Sequence, residues 1–246
     1  TEYHKSIGLI AQEIKEHLPD AHESFEGLES YNPFFFIPYL VKSIQQLTEQ
    51  NEKLNKKLEE LEGLSATEKA NMLFIVQDPY TSYYDAKVVR DFVALTQKLG
   101  FEPTILPFKP NGKAMHIKGF LTRFSKTAKT QAEFLNRVAK LNVPLVGVDP
   151  AIVLSYRDEY KEVLGDSRGD FHVLTAHEWL TNQLESNALQ SAVKNIAKSD
   201  RTFEWHLFPH CTESTFMPNS PKEWQHIFAQ FGQTLNVEKV GCCGMA

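Results

Sequence analysis

All three thiols of the chain fall within its last 36 positions: Cys211, then the adjacent pair Cys242 and Cys243, bracketed by Gly241 and Gly244. Structural cysteines scatter through a core as small hydrophobes, whereas a Cys-x30-Cys-Cys-Gly arrangement gathers soft ligands and suits an iron–sulfur or zinc centre. Adjacent cysteines in an extended strand would face opposite sides, and the flanking glycines permit a bend that turns both inward. Thiolates are soft, anionic donors, and about four complete a cluster, so these three need one more ligand from elsewhere. His206 and His210 flank Cys211, which makes a mixed Cys and His zinc site the competing reading. His206 falls inside a strand-like run and is expected as a core or surface histidine; His210 is the better candidate for a ligand or for a residue supporting one. Lys109 and Lys113 border a glycine turn, where they would attract an anion or simply be solvated. Asp78, Tyr80, Tyr83 and Tyr84 make an aromatic and polar rim suited to docking or to ordinary packing. No nucleophile–His–acid pattern, Gly-rich phosphate loop or HExxH signature is present.

The elements that must carry these residues follow from the pattern of apolar positions. Ile7, Ile10, Ile14 and Leu18 stand at helical spacing and predict an amphipathic helix followed by an acidic loop up to residue 30. Leu40, Leu47, Leu54 and Leu61 recur at heptad spacing, with Ile44, Asn51 and Leu58 between them. Such a seam serves a dimerisation helix, giving a homodimer, or a long helix packed within its own protein. From Met72 the pattern alternates between strand and helix. Strands are expected at 72–76, 102–108, 143–148, 171–175, 203–208 and 235–240, and helices at 84–99, 116–141, 150–164, 177–184, 189–198 and 221–231. Residues 78–82 read as a loop. Strands alternating with helices of this length imply parallel βαβ units.

The second set of elements copies the first. A shift of 132 positions places Ser82 on Ser214, Gly100 on Gly232, Gly112 on Gly244 and Ala114 on Ala246. The same shift places Pro79 on Cys211, and Pro110 and Asn111 on Cys242 and Cys243. All these positions follow the carboxyl ends of strands, where open α/β sheets bind ligands. The first copy therefore keeps the scaffold and lacks every thiol. The expected fold class is α/β: two pseudo-symmetric Rossmann-like βαβ halves with parallel sheets, preceded by a helical segment. The expected boundaries are 1–70 for the helical segment, 71–200 for the first half-repeat and 201–246 for the second, which is read as truncated.

Bulk composition narrows the function. With 246 residues, 42% hydrophobic and 23% charged, the chain can bury a core without disulfide staples. A formal charge of −5 argues against nucleic acid or an anionic membrane surface. The odd cysteine count points to a reducing compartment. No apolar run approaches the roughly 18 residues of a transmembrane span, and no signal-peptide core follows Thr1. The expected location is cytoplasmic, or peripheral to the inner membrane. A chain that stops directly after its cysteine motif reads as a piece of a longer polypeptide.

Cys211 followed by Cys242-Cys243-Gly244 resembles the cysteine-rich CCG domain found in heterodisulfide reductase, in the iron–sulfur component of glycolate oxidase and in anaerobic glycerol-3-phosphate dehydrogenase. The runs Val76–Asp85, Phe108–Lys113 and Val146–Pro150 are more particular. They resemble the carboxyl-terminal part of bacterial FAD-linked oxidases with fused iron–sulfur domains, over roughly residues 72–246. The resemblance implies an iron–sulfur electron-transfer module of a FAD-linked 2-hydroxy-acid dehydrogenase, with Cys211, Cys242 and Cys243 as ligands of a 4Fe–4S-type cluster that is absent or incomplete in this fragment. It implies FAD in the parent protein and not in this chain, and flavin and ferredoxin-like domains of the same polypeptide as partners. The first repeat departs from the family pattern by losing its cysteines, and the second lacks its final Cys-x-x-Cys-like element. Beside this reading stands a cluster-free or zinc-bound scaffold for interdomain docking or dimerisation.

Overall fold

A computed structural model describes residues 22–25, 28–31, 36–185, 189, 193 and 203–241. The chain divides into two compact units, Thr1–Glu60 and Leu61–Ala246.

In the first unit, β1 (His22–Phe25) pairs antiparallel with β2 (Leu28–Tyr31), Phe25 opposite Leu28 and His22 opposite Tyr31. This corrects the expected acidic loop. Phe25 and Tyr31 are residue types that favour a pleated strand. The helix expected over Ile7–Leu18 lies outside the described residues. Helix α1 (Phe36–Glu62) is one continuous element of 27 residues. Pro38 sits in its first turn, where the missing N–H would be unpaired anyway. Leu58 and Leu61, at the end of the heptad seam, are buried; the side chains of Leu40, Ile44, Leu47, Asn51 and Leu54 lie outside the description.

The second unit opens with the short helix α2 (Ala66–Lys69), capped by Ser65 and Glu68 acting reciprocally. Four parallel strands follow, β3 (Met72–Val76), β4 (Glu102–Ile105), β5 (Leu145–Gly147) and β6 (Val173–Thr175), in the lateral order β4-β3-β5-β6. Every residue of β3 is buried, as a strand covered on both faces requires. Leu73 and Ile75 share a core with Val89 and Phe92 of α4 (Ala86–Lys98) and with Trp179 and Leu180 of α9 (Ala176–Leu184). Trp179 is its centre, with the rings of Phe101 and Phe92 set edge-on at 4.9 and 5.9 Å. By strand alternation Phe74 faces the other side, and it too is fully buried.

The long helix expected over 116–141 is two helices, α5 (Lys113–Ile117) and α6 (Leu121–Ala139). Between them Gly119 takes φ +75°, a left-handed conformation that ends the first helix and that glycine adopts without penalty. Likewise the helix expected through Leu164 divides at Asp158 into α7 (Pro150–Arg157) and α8 (Glu159–Leu164). Where a loop is expected over 78–82, the short helix α3 (Pro79–Tyr83) forms instead, capped by Asp78.

The second half-repeat forms its own two-stranded parallel sheet, β7 (Glu204–Leu207) with β8 (Thr234–Val237). It carries α10 (Cys211–Phe216) and α11 (Ser220–Gln230). The repeat is geometric: Met72 pairs with Glu102 in the first half, and Glu204 with Thr234, each 132 positions on, in the second. The helix starts agree as well, Pro79 with Cys211. The halves differ in burial, β3 being wholly buried while Glu204, Trp205 and His206 of β7 are exposed. α11 places Ile227 in the same core as Leu73, so the second half rests on the first.

Candidate functional site

The lateral order of the large sheet reverses between β3 and β5. That switch point lies at the carboxyl ends of the two strands, where open α/β sheets usually bind ligands. Both strands leave it through the same local device. Asp78 precedes Pro79 and accepts hydrogen bonds from the N–H groups of Tyr80 (2.8 Å) and Thr81 (2.9 Å). Asp149 precedes Pro150 and accepts from those of Ala151 (2.7 Å) and Ile152 (3.2 Å). In each case the carboxylate satisfies free N–H groups of a first turn and proline presets its φ. Asp78 is almost wholly buried, and its second oxygen takes the Thr81 hydroxyl. Burial holds the Asp149 carboxyl above the usual range, and the nearby charge of Asp78 adds to this. The cap hydrogen bonds and His210 pull the other way. Asp78, Asp149 and His210 therefore share one electrostatic environment at the switch point. Sequence reasoning marks Asp149 only as a helix start; the signal available is the Asp-Pro pair recurring directly after two strands.

The second half brings its thiol to this neighbourhood. α10 packs on α7, and Cys211 is the first residue of α10, not a loop residue as expected. The cause is His210, whose extended backbone and ring Nδ1 cap the helix by accepting the Thr212 N–H at 3.2 Å. That bond gives His210 a structural role. Cys211 is half-buried and makes no disulfide. His206 is exposed and paired to Glu238 at 2.6 Å across the small sheet, a surface histidine. Cys242 and Cys243 lie outside the described residues, which reach Gly241. β7 and β8 are parallel partners, so the segments that follow them, toward Cys211 and toward Gly241, leave one edge. Among the described residues no group of three or more His, Cys, Asp or Glu is arranged to hold a metal ion.

The first half shows what the repeated geometry does with these positions. Pro79, Pro110 and Asn111, the counterparts of Cys211, Cys242 and Cys243, all line one open cleft of about 340 Å³. Pro79 thus shares one rim with the adjacent pair Pro110 and Asn111 from further along the chain. The two lysines of this region are engaged: Lys113 pairs with Glu159, both half-buried, and Lys109 lies 5.2 Å over the ring of Phe134. Neither is a free anion site. Tyr80, Tyr83 and Tyr84 are exposed around the cleft, Tyr80 stacked on Tyr84 at 5.9 Å.

Comparison with known proteins finds relatives that share one name. The relatives are D-2-hydroxyglutarate dehydrogenases. The protein of that name from Haemophilus influenzae is 76% identical over 204 residues, covering 83% of this chain and 20% of the relative. Those from Escherichia coli and Pantoea ananatis are 55% and 51% identical over 206 and 204 residues, 84% and 83% of this chain and 19% of each relative. The chain thus spans about a fifth of the length of the curated relatives it matches, which cover its C-terminal part. No protein-family profile and no solved structure matches it. Among the described residues no helix is long and apolar enough to cross a membrane.

Proposed function

We propose that this chain is the iron–sulfur electron-transfer part of a FAD-linked 2-hydroxy-acid dehydrogenase, with a CCG-type site in its second half. Cys211, Cys242 and Cys243 are the thiolate ligands in this reading, joined by one further ligand. A 4Fe–4S-type cluster held there would accept electrons singly from a flavin domain of the same longer polypeptide and pass them toward an acceptor. The observation that carries the reading is the convergence of Pro79, Pro110 and Asn111 on one cleft. Because β7 and β8 repeat the register of β3 and β4, the same convergence in the second half would gather the three cysteines. The name shared by the relatives supports the oxidoreductase class.

The chain's own contribution is placement. The His210 cap sets Cys211 at the head of α10, and Glu213, in the first turn, is fixed by the Ser220 hydroxyl. Iron, zinc and acid-labile sulfide, measured after anaerobic purification on this chain and on the polypeptide at its relatives' full length, test the proposal. Iron with sulfide in the long form, both lowered by Cys211→Ser in a protein of unchanged circular dichroism, is the expected result. Zinc without sulfide, or no metal in the long form, overturns it in favour of a scaffold.

A further inference from the structure

We propose that the free edge of β7 is a docking site for a third parallel strand, supplied by a segment of the same longer polypeptide outside these 246 residues. The proposal concerns the backbone of the second half and does not depend on the role of the thiols.

The first half is the internal standard. β3 is paired on both sides, with β4 in a register that sets Met72 on Glu102, and with β5 in one that sets Phe74 on Leu145. β7 and β8 repeat the first of these pairings down to single hydrogen bonds. Leu106 N–H donates to the Ile75 oxygen at 2.9 Å, and Glu238 N–H to the Leu207 oxygen at 2.9 Å. β4 and β8 each lie at the margin of their sheet. Among the described residues, however, no strand stands beside β7 where β5 stands beside β3.

Three features mark that side as unfilled. The first is backbone direction. Alternate residues of a parallel strand turn their N–H and C=O groups to opposite neighbours. Leu207 turns to β8, so His206 and Phe208 turn to the free side. Phe74, the counterpart of His206, donates its N–H to the Pro144 oxygen at 2.8 Å, at the start of β5. The second is strand length. Val76 lies beyond the last pair with β4 and belongs to β3 through its pairing with Gly147 of β5. Phe208, at the same position, falls just past the end of β7. The third is exposure: Val76 is 5% exposed and Phe208 66%. An unpaired edge flanked by exposed aromatic side chains is a template for strand addition.

The same standard selects the occupant. β5 runs parallel to β3, whereas a second copy joined edge to edge across a twofold axis would pair antiparallel. The chain spans about a fifth of the length of its relatives, so the polypeptide has further sequence from which to supply a strand. By the offset that relates the halves, the donor lies as far beyond Ala246 as β5 lies beyond Ala114. Its pattern follows from the two faces of β7. Trp205, its ring 6.0 Å from that of Phe228 on α11, shares an apolar face with Leu207. Glu204 and His206 share the other face and bond to Asn236 and Glu238. The residue seated beside Leu207 is therefore apolar, and the one beside His206 polar.

Amide hydrogen exchange, compared between the 246-residue chain and the polypeptide at its relatives' full length, tests the proposal. In the 246-residue chain the His206 and Phe208 amides should exchange freely while that of Leu207 is slowed. In the long form both free amides should slow by about a hundredfold or more. His206→Pro removes the outward N–H, and proline is tolerated on a free edge, so the urea midpoint of the 246-residue chain should match that of His206→Ala. In the long form His206→Pro should return the Phe208 amide to fast exchange, and His206→Ala should not. A His206 amide already slow in the dilute 246-residue chain, or a lower midpoint for His206→Pro there, would show the edge to be filled and overturn the proposal. So would free exchange of His206 in the long form. Slowing that appears in the 246-residue chain only as its concentration rises would make the occupant a second copy and overturn it too. The readout is the backbone, so a failure of the cluster assignment would leave these outcomes unchanged.

Discussion

The imidazole of His177 meets the carboxylate of Glu213 in full burial, Nδ1 lying 3.4 Å from Oε1. On the other side of the ring Nε2 lies 3.2 Å from Glu223 Oε2. The contact joins α9 of the first half to α10 and α11 of the second, two residues beyond Cys211. Ser220 donates its hydroxyl to Glu213, so a neutral ring is satisfied with its proton on Nε2, donated to Glu223, and with Nδ1 accepting the Thr175 hydroxyl 3.0 Å away. Burial holds the His177 pKa below the ordinary histidine value; it outweighs Glu213, Glu223 and Glu178, which push upward, and Arg157 adds to the lowering.

A pH dependence follows from that direction. The unfolded chain takes up the proton near the ordinary value of about 6.5, and the folded chain only at lower pH. The stability contributed by the neutral ring is therefore complete above about pH 6.5 and declines as pH falls toward the folded-state value. Urea midpoints of the native chain should drop between about pH 7 and 5 more steeply than those of His177→Gln. Equal slopes would show that His177 does not titrate differently on folding.

Asp149 carries the opposite sign. Its carboxyl is held above the usual range, so the folded chain disfavours the ionised form, and the cost grows as pH rises from the ordinary aspartate value toward the folded-state value, above which it is complete. Asn at this position keeps the oxygen that caps α7 and removes the charge that Asp78 opposes. Asp149→Asn should raise stability by about 0.5–1 kcal/mol at neutral pH, a gain that shrinks toward pH 4. A loss of stability would mean that the cap needs the charge. A stabilising change on the switch-point rim is the mark of a residue retained for something other than folding.

Two glycines with similar backbones separate strain from crowding. Gly112 and Gly119 take φ +80° and +75°, but a Cβ at Gly119 meets nothing within 4 Å, whereas one at Gly112 would strike Phe124. Gly119→Ala should cost about 1 kcal/mol, the left-handed penalty alone, and Gly112→Ala at least twice that. Thermal and urea unfolding of the two variants check the difference, and equal costs would show that Phe124 yields freely.

Much of this architecture is legible in local sequence because it follows from local physics. The unbroken apolar run Met72–Val76 reads as a strand covered on both faces, and it is one. The offset of 132 that relates the halves survives as paired register, with Gly100 and Gly232 both in the left-handed conformation before the second strand of each pair. Breaks are less visible: Gly119 and Asp158 divide helices whose apolar spacing runs straight through, and His210 starts a helix at Cys211 with a ring where a carboxylate or hydroxyl is the commoner cap. The candidate site is legible only as separate residues. Which strand lies beside which, and so that the charge of Asp78 acts on Asp149 at a switch point, depends on how helices share the two faces of one sheet. That His177 closes on Glu213 and Glu223 depends on where the second half settles on the first. Periodicity records which positions are buried; only the packed tertiary structure decides what each buried group is buried against, because those partners are brought together by the whole chain at once.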